Sequence, residues 1–149
     1  MAIETILLAV GPGDAERTDK LASAVADVAG PTGATVVLAH VFTEDEFDEV
    51  VGRLDYDPSG TPNPDEVAAR HATIRSLANS LDEEEVRYAI RGAIGQHGET
   101  IVDLAEDVTA DSVFVGGRKR SPTGKAVFGS TAQEVMLSAP CPVTFVRSD

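Results

Sequence analysis

The sequence has few of the residues that build covalent or metal-based sites. It contains one cysteine, Cys141, and three histidines, His40, His71 and His97. A single cysteine excludes an internal disulfide and a CxxC metal or redox pair. The histidines are scattered, and no two have the i, i+4 spacing of a metal-binding pair on a helix. Cys141, which stands between two prolines, is therefore interpreted as a small buried apolar residue.

Basic residues, and lysines above all, are scarce. Twelve Lys and Arg stand against 25 Asp and Glu, which gives a formal net charge of −13. This balance disfavours nucleic acid as a partner, because affinity for a duplex depends largely on neutralising phosphates. Many acids with few lysines also suggest adaptation to a salt-rich cytoplasm, where screening makes the self-repulsion tolerable. Full stability in dilute buffer would contradict that hypothesis.

Long apolar runs are missing as well. No stretch of the 149 residues approaches the ~18 apolar residues of a membrane span. The first residues lead directly into a strand-like run, without the basic and apolar segments of an export signal. We therefore expect a cytoplasmic protein with no membrane partner. The length fits one domain, residues 1–149, that buries about two thirds of its unfolded surface.

Short apolar runs alternate with helical periods along the chain. Five runs predict buried strands at residues 6–10, 34–42, 86–90, 112–116 and 143–146. Between them, apolar residues recur at helical spacing. One stripe predicts a single helix from Pro64 to about Leu81, and a shorter helix is predicted around Glu44 to Gly52. Continuously apolar strands that alternate with helices indicate a parallel sheet covered on both faces. We therefore expect a doubly wound, five-stranded α/β fold.

Two of the predicted strands end in glycine-rich turns. The turn Gly11-Pro12-Gly13 follows the first strand, and Gly116-Gly117 follows the fourth. Ligands of doubly wound sheets bind beyond the carboxyl ends of the strands, where the winding direction reverses. If the first and fourth strands are neighbours, both turns line one crevice. His40 ends the second strand beside this crevice and is a candidate for contact with a ligand.

The loop of residues 116–131 reverses the local sign of the charge. It holds four of the chain's 12 bases within eight residues: Arg118, Lys119, Arg120 and Lys125. A cationic patch in an acidic protein attracts anions. Gly129-Ser130-Thr131 opens a helix whose free N–H groups and dipole favour phosphate. The alternative is a solvated loop in which Ser130 or Thr131 only caps the helix.

The common nucleotide-binding motifs do not fit this loop or the first turn. Gly124-Lys125 lacks the other residues of a P-loop, which needs Gly at position 119 and Ser or Thr at position 126. Gly11-x-Gly13 lacks the third glycine of the dinucleotide fingerprint. No combination of nucleophile, base and orienting residue can be found from the spacing. The sequence therefore favours neither a Walker-type NTPase nor an NAD enzyme, and we predict no catalytic residues.

The segment from Gly116 to Ser130 resembles the universal stress protein family. That family ends its fourth strand with Gly-x2-Gly-x9-Gly-Ser/Thr, which wraps the phosphates and ribose of ATP in nucleotide-binding members. Gly116, Gly129 and Ser130 match this spacing, with Lys119 in place of the second glycine. The opening Ile-Leu-Leu-Ala-Val strand, the pair His40-Val41 and the closing Pro-Val-Thr-Phe-Val extend the resemblance over nearly the whole chain.

The resemblance implies a fold, a ligand and an assembly. The fold is the adenine-nucleotide-hydrolase-like, Rossmann-type sheet with strand order 3-2-1-4-5. The ligand is ATP or a related adenine nucleotide, with Mg²⁺ as a companion of the phosphates, and the assembly is a homodimer through strand Val143–Val146. The base would contact Val10, Gly11, Pro12 and Val41. The ribose and phosphates would contact Gly116, Gly117, Arg118, Lys119, Gly129, Ser130 and Thr131.

Two positions depart from the family pattern. Gly11 stands where nucleotide-binding members usually have Asp. Asp14, three residues later, is expected to be a helix cap or an acid of the first helical turn. Lys119 either blocks a backbone conformation with positive φ or supplies an ammonium for phosphate.

These departures leave three functions open. The favoured one is a regulatory ATP-binding protein of the stress response. The others are a nucleotide-free interaction module of the same fold and a slow ATP hydrolase. Outside the crevice, His71 is expected to be a core or boundary residue of its helix, and the glycine-rich residues 92–98 are expected to form a turn at the far edge of the sheet.

Overall fold

The computed structural model describes residues 3–53, 62–118 and 129–148. Within them the strands are β1 (Thr5–Val10), β2 (Thr35–Phe42), β3 (Tyr88–Ile94), β4 (Ser112–Arg118) and β5 (Val143–Ser148). The helices are α1 (Thr18–Thr32), α2 (Glu44–Arg53), α3 (Pro64–Ala69), α4 (Ala72–Glu83), α5 (His97–Asp107) and α6 (Ser130–Ser138). A short 3₁₀ helix (Pro12–Glu16) connects β1 to α1.

The five strands form one parallel sheet of order β3-β2-β1-β4-β5. This confirms the doubly wound sheet and the strand order expected from the sequence. Strand β1 lies in the centre, where Ile6 is in register with Val36 of β2 on one side and Ser112 of β4 on the other. The chain winds outward from β1 to β3 and then crosses back to β4. The winding direction therefore reverses between β1 and β4.

Alternating side chains of the central strand face the two helical layers. Ile6 and Leu8 belong to the core cluster that includes residues of α1 and α4, whereas Leu7 and Ala9 belong to the cluster that includes residues of α5 and α6. Ile6, Leu7 and Leu8 are fully buried. Burial on both faces explains why β1 is continuously apolar in the sequence.

Helix α3 is held against the edge strand β3 by its first turn. Asn63 caps the helix by accepting the N–H of Asp65 at 2.8 Å. Asp65 in turn accepts the N–H of Gly92, in β3, at 2.6 Å. A Cβ placed on Gly92 would collide with the carbonyl oxygen of Pro64. The helix therefore lies so close to β3 that only glycine fits at position 92.

The structure corrects the prediction of one helix from Pro64 to Leu81. The helical backbone is interrupted after Ala69, and His71 is extended, with φ −69° and ψ 132°. The Nδ1 atom of His71 accepts the N–H of Thr73 at 3.3 Å, so this residue caps the second helix. The break separates α3, which packs on β3, from α4, which packs mainly on α1.

The structure also corrects the extent of the third strand. The sequence predicted a strand over residues 86–90 and a turn over residues 92–98, but β3 runs from Tyr88 to Ile94. Its last residue pairs with Phe42 at the end of β2. Pairing with the long strand β2 extends β3 over the glycine, because ladder hydrogen bonds outweigh the weak strand preference of a single glycine.

Within the three described ranges, each helix is too short or too polar to cross a membrane.

Candidate functional site

A cavity of about 400 Å³ opens at the carboxyl ends of β1, β2 and β4. It lies at the point where the winding of the sheet reverses, which is where ligands of this fold class bind. Its walls come from the ends of the three strands, the 3₁₀ helix and the first turns of α2, α5 and α6. The lining residues from β1, β2 and β4 include Ala9, Val10, His40, Val41, Val115, Gly116 and Gly117.

Most of the residues that the sequence placed in a binding site lie around this one cavity. They are Val10, Gly11, Val41, Gly116, Gly117, Gly129, Ser130 and Thr131. Pro12 begins the 3₁₀ helix and Arg118 ends β4, and for both only the backbone is described. Lys119 lies outside the described residues. The structure therefore brings together eight of the expected contact residues from four separate segments of the chain.

Glycine at the end of β4 gives the cavity part of its shape. A Cβ on Gly116 would lie 2.8 Å from Oδ1 of Asp14 and 3.0 Å from Cδ of Arg17. A Cβ on Gly117 would lie 2.7 Å from the ring of Phe145. Both separations are shorter than packed atoms tolerate. Larger residues at either position would displace the neighbouring side chains, so this part of the wall is bare backbone.

The first turn of α6 forms another part of the wall. Gly129 is the N-cap residue, with φ −59° and ψ 153°, and it has no side chain to satisfy the first amides of the helix. Ser130 and Thr131 occupy the first helical positions, so neither is the N-cap. The first N–H groups of any helix have no intrahelical acceptor and carry the positive end of its dipole. This wall is therefore suited to an anion.

Asp14 and Arg17 form a buried ion pair in the wall beside Gly116. One carboxylate oxygen of Asp14 accepts the N–H of Gly11 at 2.7 Å, and the other accepts from Nη1 of Arg17 at 2.5 Å. The exposed fractions of the Asp14 and Arg17 side chains are 5% and 8%. The expectation that Asp14 is an acid of the first helical turn is confirmed. Arg17 was not predicted, although its i, i+3 spacing from Asp14 is compatible with such a pair.

His40 is buried beside the cavity in a single tautomer. Its Nδ1 lies 3.0 Å from the carbonyl oxygen of Val10, which can only accept, so Nδ1 carries the hydrogen. The ring stacks on His71 with 4.3 Å between centroids and meets the edge of Phe42 at 4.6 Å. Burial, reinforced by the neighbouring His71, lowers the pKa of His40 to about 4. The side chain is therefore neutral at pH 7.

A second polar pair, His97 and Glu46, lies on the α5 side of the cavity. Nε2 of His97 is 2.8 Å from Oε1 of Glu46, and that oxygen also accepts the N–H of Thr43 at 2.8 Å. The hydroxyl of Thr43 accepts the N–H of Glu46 in return, which makes a capping box at the start of α2. The hydrogen bond from the Thr43 N–H, aided by His97, lowers the pKa of Glu46.

Sequence reasoning did not place this second pair. His97 was assigned to a turn, whereas it begins α5 and lines the cavity. Glu46 was not singled out. The spacing Thr43-x-x-Glu46 is a recognisable signal for the capping box, but it does not reveal that the box faces a cavity. That information comes only from the packing of β2 beside β3.

The described part of the chain shows no group of three or more His, Cys, Asp or Glu side chains arranged to hold a metal ion. The carboxylates of Asp14 and Glu46 each line the cavity, but each is already paired with a basic side chain.

The fold and the cavity together define a Rossmann-like α/β domain with a cavity at its switch point. The sequence matches the model of the Universal stress protein family over residues 2–147. The chain therefore belongs to that family.

Individual relatives agree with the family assignment. A curated universal stress protein of Mycolicibacterium smegmatis is 30% identical over 80 residues, which cover 53% of this chain and 62% of that protein. The structure of a universal stress protein from Archaeoglobus fulgidus is 27% identical, with a TM-score of 0.72 and coverage of 97% and 98% of the two chains. Another structure from that organism, a universal stress protein in complex with dAMP, is 21% identical, with a TM-score of 0.66 and coverage of 99% and 100%.

Proposed function

We propose that this protein binds ATP or a related adenine nucleotide in the cavity between the ends of β1 and β4. One observation carries the proposal: the exposed amides at the start of α6 and the bare glycine backbone at the end of β4 face the same cavity of about 400 Å³. Backbone amides at a helix start favour phosphate, and glycine allows a phosphate or a sugar to approach the main chain. The dAMP complex of the Archaeoglobus fulgidus relative supports this choice of ligand class.

The walls of the cavity suggest how the nucleotide is oriented. The phosphates would lie at Gly129, Ser130 and Thr131, where the helix dipole and two hydroxyl groups favour negative charge. The base would lie on the apolar side, which includes Val41 and Ile101. Burying an aromatic base against these side chains contributes to binding through the apolar area that it removes from water.

Magnesium, where it accompanies ATP, would be held mainly by the phosphate oxygens. Mg²⁺ commonly binds through substrate phosphates with one or two protein ligands and several waters. Ser130 and Thr131 line the cavity where the phosphates are proposed to lie, so their hydroxyl groups are the candidate protein ligands. Neither carboxylate of the cavity is needed for this arrangement.

The proposed role is regulatory, as a nucleotide-responsive protein of the stress response. Binding of a ligand to the native state alone raises its stability by mass action, which supplies a physical basis for a response to nucleotide concentration. A slow ATP hydrolase is the competing function on the same site. It would be indicated by phosphate release above that of a Ser130→Ala variant.

The binding proposal is tested by two substitutions at Gly129 that differ only in charge. Among the described residues, no atom beyond the adjacent ones lies within 4 Å of a Cβ at this position, and Asp and Asn are both good N-cap residues, so we expect both variants to fold. We expect Gly129→Asp to weaken ATP binding by about 100-fold or more, because it puts a carboxylate where the phosphates lie. Isothermal titration calorimetry measures the loss.

Gly129→Asn is the matched control for bulk. It should weaken binding by a much smaller factor than Gly129→Asp and should keep or slightly raise the melting temperature, because Asn stabilises an N-cap by only about a few tenths of a kcal/mol relative to Gly. Equal affinities of the two variants for ATP would contradict phosphate binding at the start of α6. A wild-type protein that gives neither heat nor a thermal shift with millimolar ATP would refute nucleotide binding altogether.

We also propose that two copies of the chain associate through β5. Strand β5 is the last of the described sheet order and pairs there only with β4, and the exposed Leu137 of α6 precedes it in the sequence. An uncovered strand edge favours pairing with another chain. Light scattering that reports the monomer mass of 15.6 kDa would contradict the dimer.

We propose in addition that the protein works in a salt-rich cytoplasm, as its excess of acids over bases suggests. Unchanged stability between dilute and molar salt would contradict this salt adaptation.

A further inference from the structure

The ion pair of Asp14 and Arg17 forms a polar part of the cavity wall that differs chemically from the start of α6. The pair lies against Gly116, since Oδ1 of Asp14 is 2.8 Å from the position that a Cβ on that glycine would take. The guanidinium also lies beside Gly13, where a Cβ would be 3.3 Å from Nη2. Both charged side chains are more than nine-tenths buried, and both line the cavity. They form a fixed feature of the site.

The carboxylate of Asp14 has spare capacity to accept hydrogen bonds. An ionised carboxylate offers about four acceptor positions on its two oxygens. Within the described residues it accepts from the N–H of Gly11 and from Nη1 of Arg17, one contact for each oxygen. The carboxylate therefore retains acceptor positions for a donor group of a ligand that reaches this wall.

The two members of the pair favour different parts of a ligand. The carboxylate of Asp14 repels a phosphate beside it and accepts from a hydroxyl or amino group, whereas the guanidinium of Arg17 only donates. Another part of the lining, the start of α6 at Gly129, favours an anion. The ligand must then present a donor at a short distance from its phosphate. In a nucleotide, the hydroxyl groups of the ribose meet that requirement.

We propose that Asp14, held in place by Arg17, accepts a hydrogen bond from a ribose hydroxyl group and makes this protein favour nucleotides that carry such hydroxyls over their 2′,3′-dideoxy analogues. The inference rests on the proposed function and adds a specificity-determining residue to it. Carboxylates that accept from ribose hydroxyls are used in other doubly wound folds. Here the carboxylate comes from the turn after β1, and the neighbouring N–H of Gly11 fixes its orientation.

Variation of the ligand tests the selectivity without altering the protein. ATP and 2′,3′-dideoxy-ATP carry the same base and phosphates, so they differ only in the two donors. We expect the wild-type protein to bind ATP about 10- to 100-fold more tightly, as loss of a hydrogen bond to a charged group predicts. Titration calorimetry of both ligands measures the ratio. Equal affinities would overturn this inference and leave nucleotide binding intact, whereas no binding of either ligand would overturn both.

Variation of the protein tests whether Asp14 is responsible. Asp14→Asn keeps the shape but loses the charge, and we expect the ratio of the two affinities to fall to about threefold or less. Because that variant leaves the buried guanidinium of Arg17 beside a neutral amide, the double variant Asp14→Asn/Arg17→Leu, which removes both charges, is measured alongside it.

Ser130→Ala is the matched control, because it removes a hydroxyl from the phosphate wall. It should weaken the binding of ATP and 2′,3′-dideoxy-ATP by the same factor and leave their ratio at the wild-type value. A ratio that persists in both Asp14 variants, or that falls as far in Ser130→Ala, would overturn the assignment of ribose selectivity to Asp14.

Discussion

His40 is 8% exposed and lies at the end of β2, where burial lowers its pKa to about 4. The titratable groups that act on it are His71 and His97, which oppose a positive charge on the ring, and Glu46, which favours one. In the unfolded chain the same side chain titrates near 6.5. Between these two pH values the unfolded state therefore binds more protons than the folded state does. The free energy of unfolding must then decrease as the pH falls through that window.

We predict that His40 alone removes about 2 kcal/mol of stability between pH 7 and pH 5. Its contribution is fully present above pH 6.5 and is progressively lost as the pH falls toward 4. Burial also lowers the pKa of His71, which adds a loss in the same direction. Urea unfolding at the two pH values should show a smaller decrease for His40→Gln than for the wild type. An equal decrease in both proteins would contradict the burial of a neutral His40.

Individual residues of the site could be predicted from the sequence only where a motif marks them. Gly116, Gly129 and Ser130 have the spacing of a known loop, and all three line the cavity. Arg17 and Glu46 line it too but belong to no such motif. Their positions depend on the 3₁₀ turn after β1 and on the capping box of α2. The local sequence does not show that these two features face the cavity, because this is determined by tertiary packing.

The contact between α3 and β3 shows how an element is positioned by one small residue. Gly92 lies where the carbonyl of Pro64 leaves no room for a side chain, and its N–H is bound by Asp65. For Gly30, in α1, no atom of the described residues outside the helix's own backbone and the adjacent residues lies within 4 Å of the position of a Cβ. The same chemical change at these two glycines should therefore have opposite effects.

We predict that Gly92→Ala lowers the free energy of unfolding by about 1–3 kcal/mol, since it forces α3 away from the sheet. Gly30→Ala should raise the free energy of unfolding by about 0.5–1 kcal/mol, because alanine loses less backbone entropy in a helix. Chemical denaturation of both variants measures the difference. A neutral or stabilising Gly92→Ala would contradict the close packing of α3 on β3.

Elements were predicted from the sequence where hydrophobic periodicity alone determines them. The buried strands β1, β2 and β4 appear within one to two residues of the predicted positions. The break between α3 and α4 was missed, because the apolar stripe continues in phase across His71. The two parts pack on different surfaces, α3 on β3 and α4 mainly on α1, and the sequence pattern carries no signal for this difference.

At the scale of the whole molecule, the position of the cavity follows from topology. Alternating buried strands and helices require a parallel sheet, and a reversal of winding places the ends of β1 and β4 beside one crevice. The strand order itself came from the resemblance to the universal stress proteins, because periodicity does not distinguish among the permitted orders. Topology locates the cavity but does not identify its ligand, which has to be inferred from the chemistry of the residues that line the cavity.

The most direct test of nucleotide binding in this cavity is a titration of the ¹⁵N-labelled protein with ATP, followed by the amide resonances of the glycines. We predict shifts at Gly11, Gly116, Gly117 and Gly129, which line the cavity, and none at Gly30 or Gly33, which lie at the end of α1. Unmoved cavity glycines at millimolar ATP, or shifts confined to the end of α1, would contradict the account.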